Sequence, residues 1–115
     1  MVSEPLHGTR DPALSDRQFQ FEWDENKAAA NIRKHGVSFE VASFVFADPR
    51  LLSVADLEHG EAEERWFSVG CAVNGAILSV VYVWQEVDRA LMKIRLISAR
   101  QATRSEMRFY EGPNE

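Results

Sequence analysis

The residues best suited to chemistry in this chain are arginines that cluster late in the sequence: Arg95, Arg100, Arg104 and Arg108, with Arg65 further upstream. A guanidinium stays protonated at any physiological pH and offers a fork of donors. It therefore binds phosphate and stabilises developing negative charge, but is a poor acid or base. Proton transfer needs other groups. His35 has an intrinsic pKa near neutrality, and its place beside Gly36 at a predicted helix C-terminus favours the charged form. Glu64, next to Arg65, is a candidate base, or half of a surface ion pair of little energetic weight. Lys27 and Lys34 on a helix and Tyr110 near the C-terminus are candidate contacts to an anionic, aromatic ligand. Each has an ordinary alternative: Arg and Lys are mostly solvated surface, His35 can simply cap its helix, and Tyr110 can be a packing residue.

The distribution of charge bears on the partner. The 115 residues carry a net charge of −5. Seven Lys/Arg against fifteen Asp/Glu leave −8 through Asp88, whereas six against three leave +3 from Arg89 onward. Between Arg89 and Arg108 the only acid is Glu106. A local basic patch of this kind can hold phosphates on an acidic protein. Other chemistries lack their residues. His7, His35 and His59 are widely spaced and have no Cys partners, so no zinc spacing exists and no metal or cofactor is expected. No glycine-rich phosphate loop or nucleophile elbow is present. The lone Cys71, inside an apolar strand, is expected to be buried and inert. One cysteine, no apolar stretch of about 20 residues and no secretory leader point to the cytoplasm.

The elements that must position these groups follow from periodicity. Residues 1–17 contain Pro5, Gly8 and Pro12 without apolar periodicity and are expected to form a flexible tail. Residues 18–111 are expected to form one domain, and 112–115 a short C-terminal tail. Phe19, Phe21 and Trp23 alternate with polar residues as in a half-buried strand. Asp24 is an N-cap for a helix to Lys34, closed by Gly36. On it Ala28, Ile32 and His35 share one face, and Lys27, Asn31 and Lys34 another. Ser38 caps a second, nearly all-apolar helix, Phe39–Phe46, broken by Asp48-Pro49. Leu51–Val54 reads as a short strand, followed by an acidic loop over Leu57–Glu63.

Arg65–Val73 and Ala76–Trp84 flank Asn74-Gly75, a strong hairpin signal, and the second should lie centrally because it is apolar almost throughout, Tyr82 included. After a loop near Gln85–Arg89, Leu91–Ser98 alternates Met92, Ile94 and Leu96 with Lys93 and Arg95. Thr103 and Glu106 have capping-box spacing for a last helix to about Tyr110. The expected class is α+β: a small antiparallel sheet with helices packed on it, in the order β-α-α-β-β-β-β-α.

Phe21-Glu22-Trp23-Asp24-Glu25-Asn26-Lys27 and the run Asn31 to Ala42 (Asn-Ile-Arg-Lys-His-Gly-Val-Ser-Phe-Glu-Val-Ala) resemble the opening of the BrnT toxin family. Phe46-Ala47-Asp48-Pro49, Glu64-Arg65-Trp66 with Gly70, and the stretch Arg95 to Arg104 with Glu106 and Tyr110-Glu111 continue the likeness. It extends over residues 21–111. The resemblance implies a bacterial type II toxin with a RelE-like ribonuclease fold and a BrnA-like ribbon-helix-helix antitoxin, through which alone it would meet operator DNA.

Such an enzyme would cut RNA without a metal and block translation. It would need a group to take the 2′-hydroxyl proton, one to protonate the 5′-oxygen, and cations to stabilise charge on phosphorus. On that reading Arg65, Arg95, Arg100, His35 and Glu64 are the catalytic candidates, and Lys27, Lys34, Arg104, Arg108 and Tyr110 the RNA-binding ones. The competing reading is a non-catalytic module that only binds its antitoxin and acts as co-repressor.

Overall fold

The computed structural model describes residues 18–56 and 65–112. The expected tail at 1–17, the expected tail at 112–115 apart from Gly112, the acidic loop with His59, and the candidate Glu64 lie outside the described residues. Strand β1 (Gln18–Glu22) leads into helix α1 (Glu25–His35). There follow α2 (Phe39–Ser43), a 3-10 turn (Phe44–Ala47), β2 (Leu52–Asp56), β3 (Arg65–Cys71), β4 (Ile77–Asp88), β5 (Leu91–Gln101) and α3 (Arg104–Glu111). The five strands form one sheet in the order β1-β5-β4-β3-β2, with β4 at its centre. Among the described residues no helix is long and apolar enough to cross a membrane.

The sheet is mixed, which corrects the expected antiparallel one. Strands β2 to β5 pair antiparallel, but β1 lies parallel to β5, with Phe19 beside Met92 and Glu22 beside Arg95. Alternation shows which face of β1 is buried; it carries no information on the partner or its direction. The β3–β4 hairpin turns where Asn74-Gly75 requires it, with Gly75 at φ 86° and Asn74 Oδ1 accepting from Ala76 N. Two strands run longer than expected. The polar stretch Gln85–Asp88 continues β4, because its backbone pairs with Leu91–Lys93, and β5 extends to Gln101. A bulge in β5 leaves Ile97 without a partner opposite the Val81–Tyr82 step, so Ser98 faces Val81 while Leu96 faces Tyr82.

The core lies between one face of the sheet and the first two helices. Phe39, Ala42 and Val45 are fully buried and pack in one cluster with Leu78, Val80, Tyr82, Ile94 and Leu96. The predicted second helix tightens into the 3-10 turn at Phe44, whose ring stays half exposed. Phe46 stacks edge-on to Tyr82 with centroids 4.9 Å apart. The Tyr82 hydroxyl joins Ser53 and Ser68 in a closed ring of hydroxyls, donating to Ser53 Oγ (3.2 Å) and accepting from Ser68 Oγ (2.9 Å). Burial raises its pKa.

Helix α1 departs from its expected faces. Ala28 is buried, but Ile32 is half exposed, and Asn31 rather than Ile32 turns inward. Strand β1 ends at Glu22, so the outer edge of β5 beyond Arg95 has no strand beside it. Asn31 takes that place: Nδ2 donates to Ala99 O (2.8 Å) and Val37 O (2.9 Å), and Oδ1 accepts from Ala99 N (3.1 Å). One amide thus supplies the donor and acceptor that buried backbone groups require.

Candidate functional site: an arginine row and an edge pocket

Side chains alternate between faces along each strand. Trp66, Tyr82, Ile94 and Leu96 face the helices. Arg65, Val83 and Arg95 therefore rise from the opposite face. Val83 pairs with Arg95, and Arg65 sits one residue beyond the Trp66–Tyr82 pair, so Arg65, Val83 and Arg95 form one row across β3, β4 and β5. Strands about 4.8 Å apart put the two arginine Cα atoms roughly 10 Å apart. Two guanidinium groups on flexible stems can bracket one phosphate over that gap, with Val83 as an apolar floor. Lys93, on the same face, lies between Gln20 of β1 and Gln85 of β4 and adds a third cation at the end of the row.

The other end of this face is closed by α3. Its N-terminus is a complete capping box: Thr103 Oγ1 accepts from Glu106 N (3.1 Å), and Glu106 Oε1 accepts from Thr103 N (2.9 Å). The same carboxylate accepts from Ser79 Oγ at 2.7 Å and takes both ends of the Arg100 guanidinium, each at 2.9 Å. This bidentate geometry lowers the Glu106 pKa to about 2, chiefly through Arg100, with help from Thr103 N–H and Ser79 against the cost of desolvation. The same bond raises the Arg100 pKa. Further along the helix the Tyr110 hydroxyl donates to Asp48 Oδ2 at 2.6 Å, and the Arg50 guanidinium lies 5.4 Å over its ring. Desolvation, with the neighbouring carboxylate, pushes the Tyr110 pKa up. Asp48 also accepts from Cys71 N and Arg50 N, which ties the Asp48-Pro49 break to β3.

The sequence candidates thus separate. Arg65 and Arg95 are brought together. Arg100 lies on the same face beside Ser79, but its guanidinium is engaged by Glu106 and anchors α3. Tyr110 is likewise held within the fold, as its packing alternative anticipated. Arg104 and Arg108 are exposed one turn apart on α3. His35, half-buried at the far end of α1, lies about 12 Å along the helix from Lys27, and Lys34 is exposed on the same last turn. Cys71 is half-buried rather than buried, because it sits on the arginine face at the hairpin end of β3.

Lys27 belongs to a second feature. Where β1 leaves β5, an open pocket of about 350 Å³ is lined by Glu22, Trp23, Asp24, Lys27 and Arg95, with Leu96 and Ile97 of the β5 edge. Arg95 borders both this pocket and the row. Lys93, Glu22 and Trp23 were not among the sequence candidates. The alternation of Lys93 with Arg95 was a usable signal for the first. The other two gain their position from the parallel pairing of β1 with β5.

A five-stranded sheet with α1 and α2 over one face, and α3 beside the Arg65–Val83–Arg95 row on the other, defines a small α+β protein. A family model describing the ribonuclease toxin BrnT of type II toxin–antitoxin systems matches residues 23–106, and the chain belongs to that family. No curated protein sequence matches it. Among solved structures, the ribonuclease toxin BrnT of Brucella abortus is similar, with 24% identity and a TM-score of 0.49 over 76% of this chain and 100% of that one.

Proposed function

We propose that this chain is an endoribonuclease toxin that cuts RNA without a metal ion and blocks translation in the cytoplasm when free. A BrnA-like ribbon-helix-helix antitoxin neutralises it and carries the pair to operator DNA. The fold is taken to be of the RelE-like ribonuclease type. The observation that carries the reading is the placement of Arg65 and Arg95 on either side of Val83, on the part of the sheet that α3 leaves open, in a chain of the BrnT family.

In this reading the scissile phosphate sits over Val83. The 2′-oxygen attacks phosphorus and the bond to the 5′-oxygen breaks, leaving a 2′,3′-cyclic phosphate and a 5′-hydroxyl. Arg65 and Arg95 stabilise the additional charge on the non-bridging oxygens, the role a permanently charged fork fills best. Lys93 holds an adjoining phosphate. Arg104 and Arg108 extend the cationic track along α3, and Lys34 and His35 stand apart from it. Arg100 contributes by anchoring α3.

Defined RNA is incubated with the purified chain in chelator, and product ends are analysed. Cleavage leaving cyclic phosphate ends, reduced about 10²- to 10³-fold by Arg65→Ala or Arg95→Ala, is expected. Cleavage that needs added metal would refute the metal-free step. If neither the parent nor the variants cut RNA while all capture the antitoxin, the partner-binding module is the better account.

A further inference from the structure

We infer that the pocket at the end of β1 is a nucleobase subsite selective for guanine, built from Glu22, Lys27 and the wall of Trp23; this rests on the ribonuclease reading above and names which base lies beside the cut. Its volume, about 350 Å³, falls at the lower end of small-ligand clefts, roughly 300–1,000 Å³. That suits a single base rather than a folded RNA element. Sequence-specific readers of single-stranded RNA take splayed bases in this way, with an aromatic wall and hydrogen bonds to the base edge.

The lining selects among the bases. Asp24 Oδ1 is committed to capping α1, accepting from Asn26 N at 2.8 Å and Lys27 N at 3.1 Å. Glu22, the last residue of β1 and beside Arg95, has neither oxygen in that cap and is the carboxylate assigned to the ligand. A carboxylate is acceptor-only and has two oxygens. Guanine alone among the four bases offers two parallel donors on one edge, N1–H and the N2 amine, with the O6 acceptor adjacent. The carboxylate matches the donors and the Lys27 ammonium matches O6. Adenine and cytosine each place a ring nitrogen lone pair where the carboxylate would meet a donor. Uracil offers one donor between two carbonyls. Arg95 borders both pocket and row, so a base held here leaves its phosphate close to the Arg65–Arg95 pair.

The test titrates the full-length chain with 5′-GMP, 5′-IMP, 5′-AMP, 5′-CMP and 5′-UMP, following tryptophan fluorescence, with Trp23→Phe identifying the signal from the pocket. GMP is expected to bind at least tenfold more tightly than AMP, as a good bidentate pair discriminates by about that much or more. IMP, which lacks the N2 amine, should fall between them. Glu22→Gln should reduce the GMP preference at least fivefold, and Lys27→Met should weaken GMP more than AMP, with thermal melting confirming that both variants fold. Equal affinity for the five nucleotides, or a GMP preference that survives Glu22→Gln, overturns the assignment. The titration requires no cleavage, so the two readings separate. A chain that sorts GMP from AMP yet cuts no RNA keeps the pocket and loses the nuclease, whereas one that cuts RNA without sorting nucleotides loses the pocket alone.

Discussion

Replacing Asn31 with alanine should destabilise this domain severely, although the residue sits among lysines on a helix face that reads as solvent. Its amide makes three hydrogen bonds, to Ala99 O, Val37 O and Ala99 N. Ala99 is fully buried and Val37 nearly so, at 5% exposure, so solvent does not reach the abandoned groups without rearrangement. An orphaned buried polar group costs about 1–3 kcal/mol, less for a carbonyl that keeps a second lone pair in use. One N–H and two carbonyls therefore come to about 3–4 kcal/mol. That is a large share of the roughly 5–15 kcal/mol by which small domains are stable, and corresponds to a fall in Tm of roughly 15–25 °C. Urea unfolding followed by circular dichroism measures it, and amide exchange at Ala99 localises it. Asn31→Asp keeps the acceptor for Ala99 N–H but turns a carboxylate toward two carbonyls, so it should be at least as damaging at neutral pH and partly recover once the acid is protonated and can donate. A loss below about 1 kcal/mol for Asn31→Ala would show that the β5 edge does not depend on this clamp.

Glu106, with its pKa lowered to about 2, contributes stability that is fully present above the unfolded carboxylate value near 4.3 and is lost as pH falls through the folded value. Solvent screening holds the contribution to about 1–2 kcal/mol; Glu106→Gln should remove it and flatten the acid limb of the pH–stability profile between about pH 5 and 2. A Cβ on Gly70 would stand 2.8 Å from Leu51 Cδ1 and 3.0 Å from Val45 Cβ, and Val45 is fully buried, so Gly70→Ala should cost about 1–3 kcal/mol by overpacking, measured by thermal melting. If Arg65, Lys93 and Arg95 each neutralise one phosphate, the logarithm of single-stranded RNA affinity should fall with the logarithm of salt with a slope of about −2; a slope near zero in a salt titration would remove these three residues from the binding surface.

What the sequence made legible is what its local chemistry dictates. Asp24, Ser38 and the Thr103–Glu106 box cap the helices they were expected to cap, since a side-chain oxygen before an amphipathic run has few other uses. The Asn74-Gly75 turn fixed the hairpin, and the continuous apolar strand is the central one. Hidden features depend on partners distant in sequence. The parallel docking of β1 decides that Glu22 borders Arg95, and nothing within either segment announces it. Asn31 shares its helical stripe with Lys27 and Lys34, and the missing strand beside β5 is the reason it is buried. The family likeness singled out Arg65, Arg95 and Arg100 alike. Only the three-dimensional position of Glu106 distinguishes the one that anchors α3 from the two that share a row with Val83.

That distinction explains how an acidic protein can present a cationic surface. Most of the acid count lies before Asp88, although the register sets Asp56 beside Arg65 and Glu22 beside Arg95, and Glu106 within the basic stretch is consumed by Arg100, Thr103 and Ser79. Neutralising Arg100 internally weakens the patch by one charge but fixes α3 over the Ser79 end of the sheet. Of the strand cations on this face, Arg65, Lys93 and Arg95 lie at the other end, around Val83 and the pocket at β1. On the ribonuclease reading, the net charge would keep affinity for bulk nucleic acid low while the local field over this row favours a phosphodiester. On that reading the Arg100–Glu106 pair helps define the site by fixing α3, although neither residue needs to touch the bond that breaks.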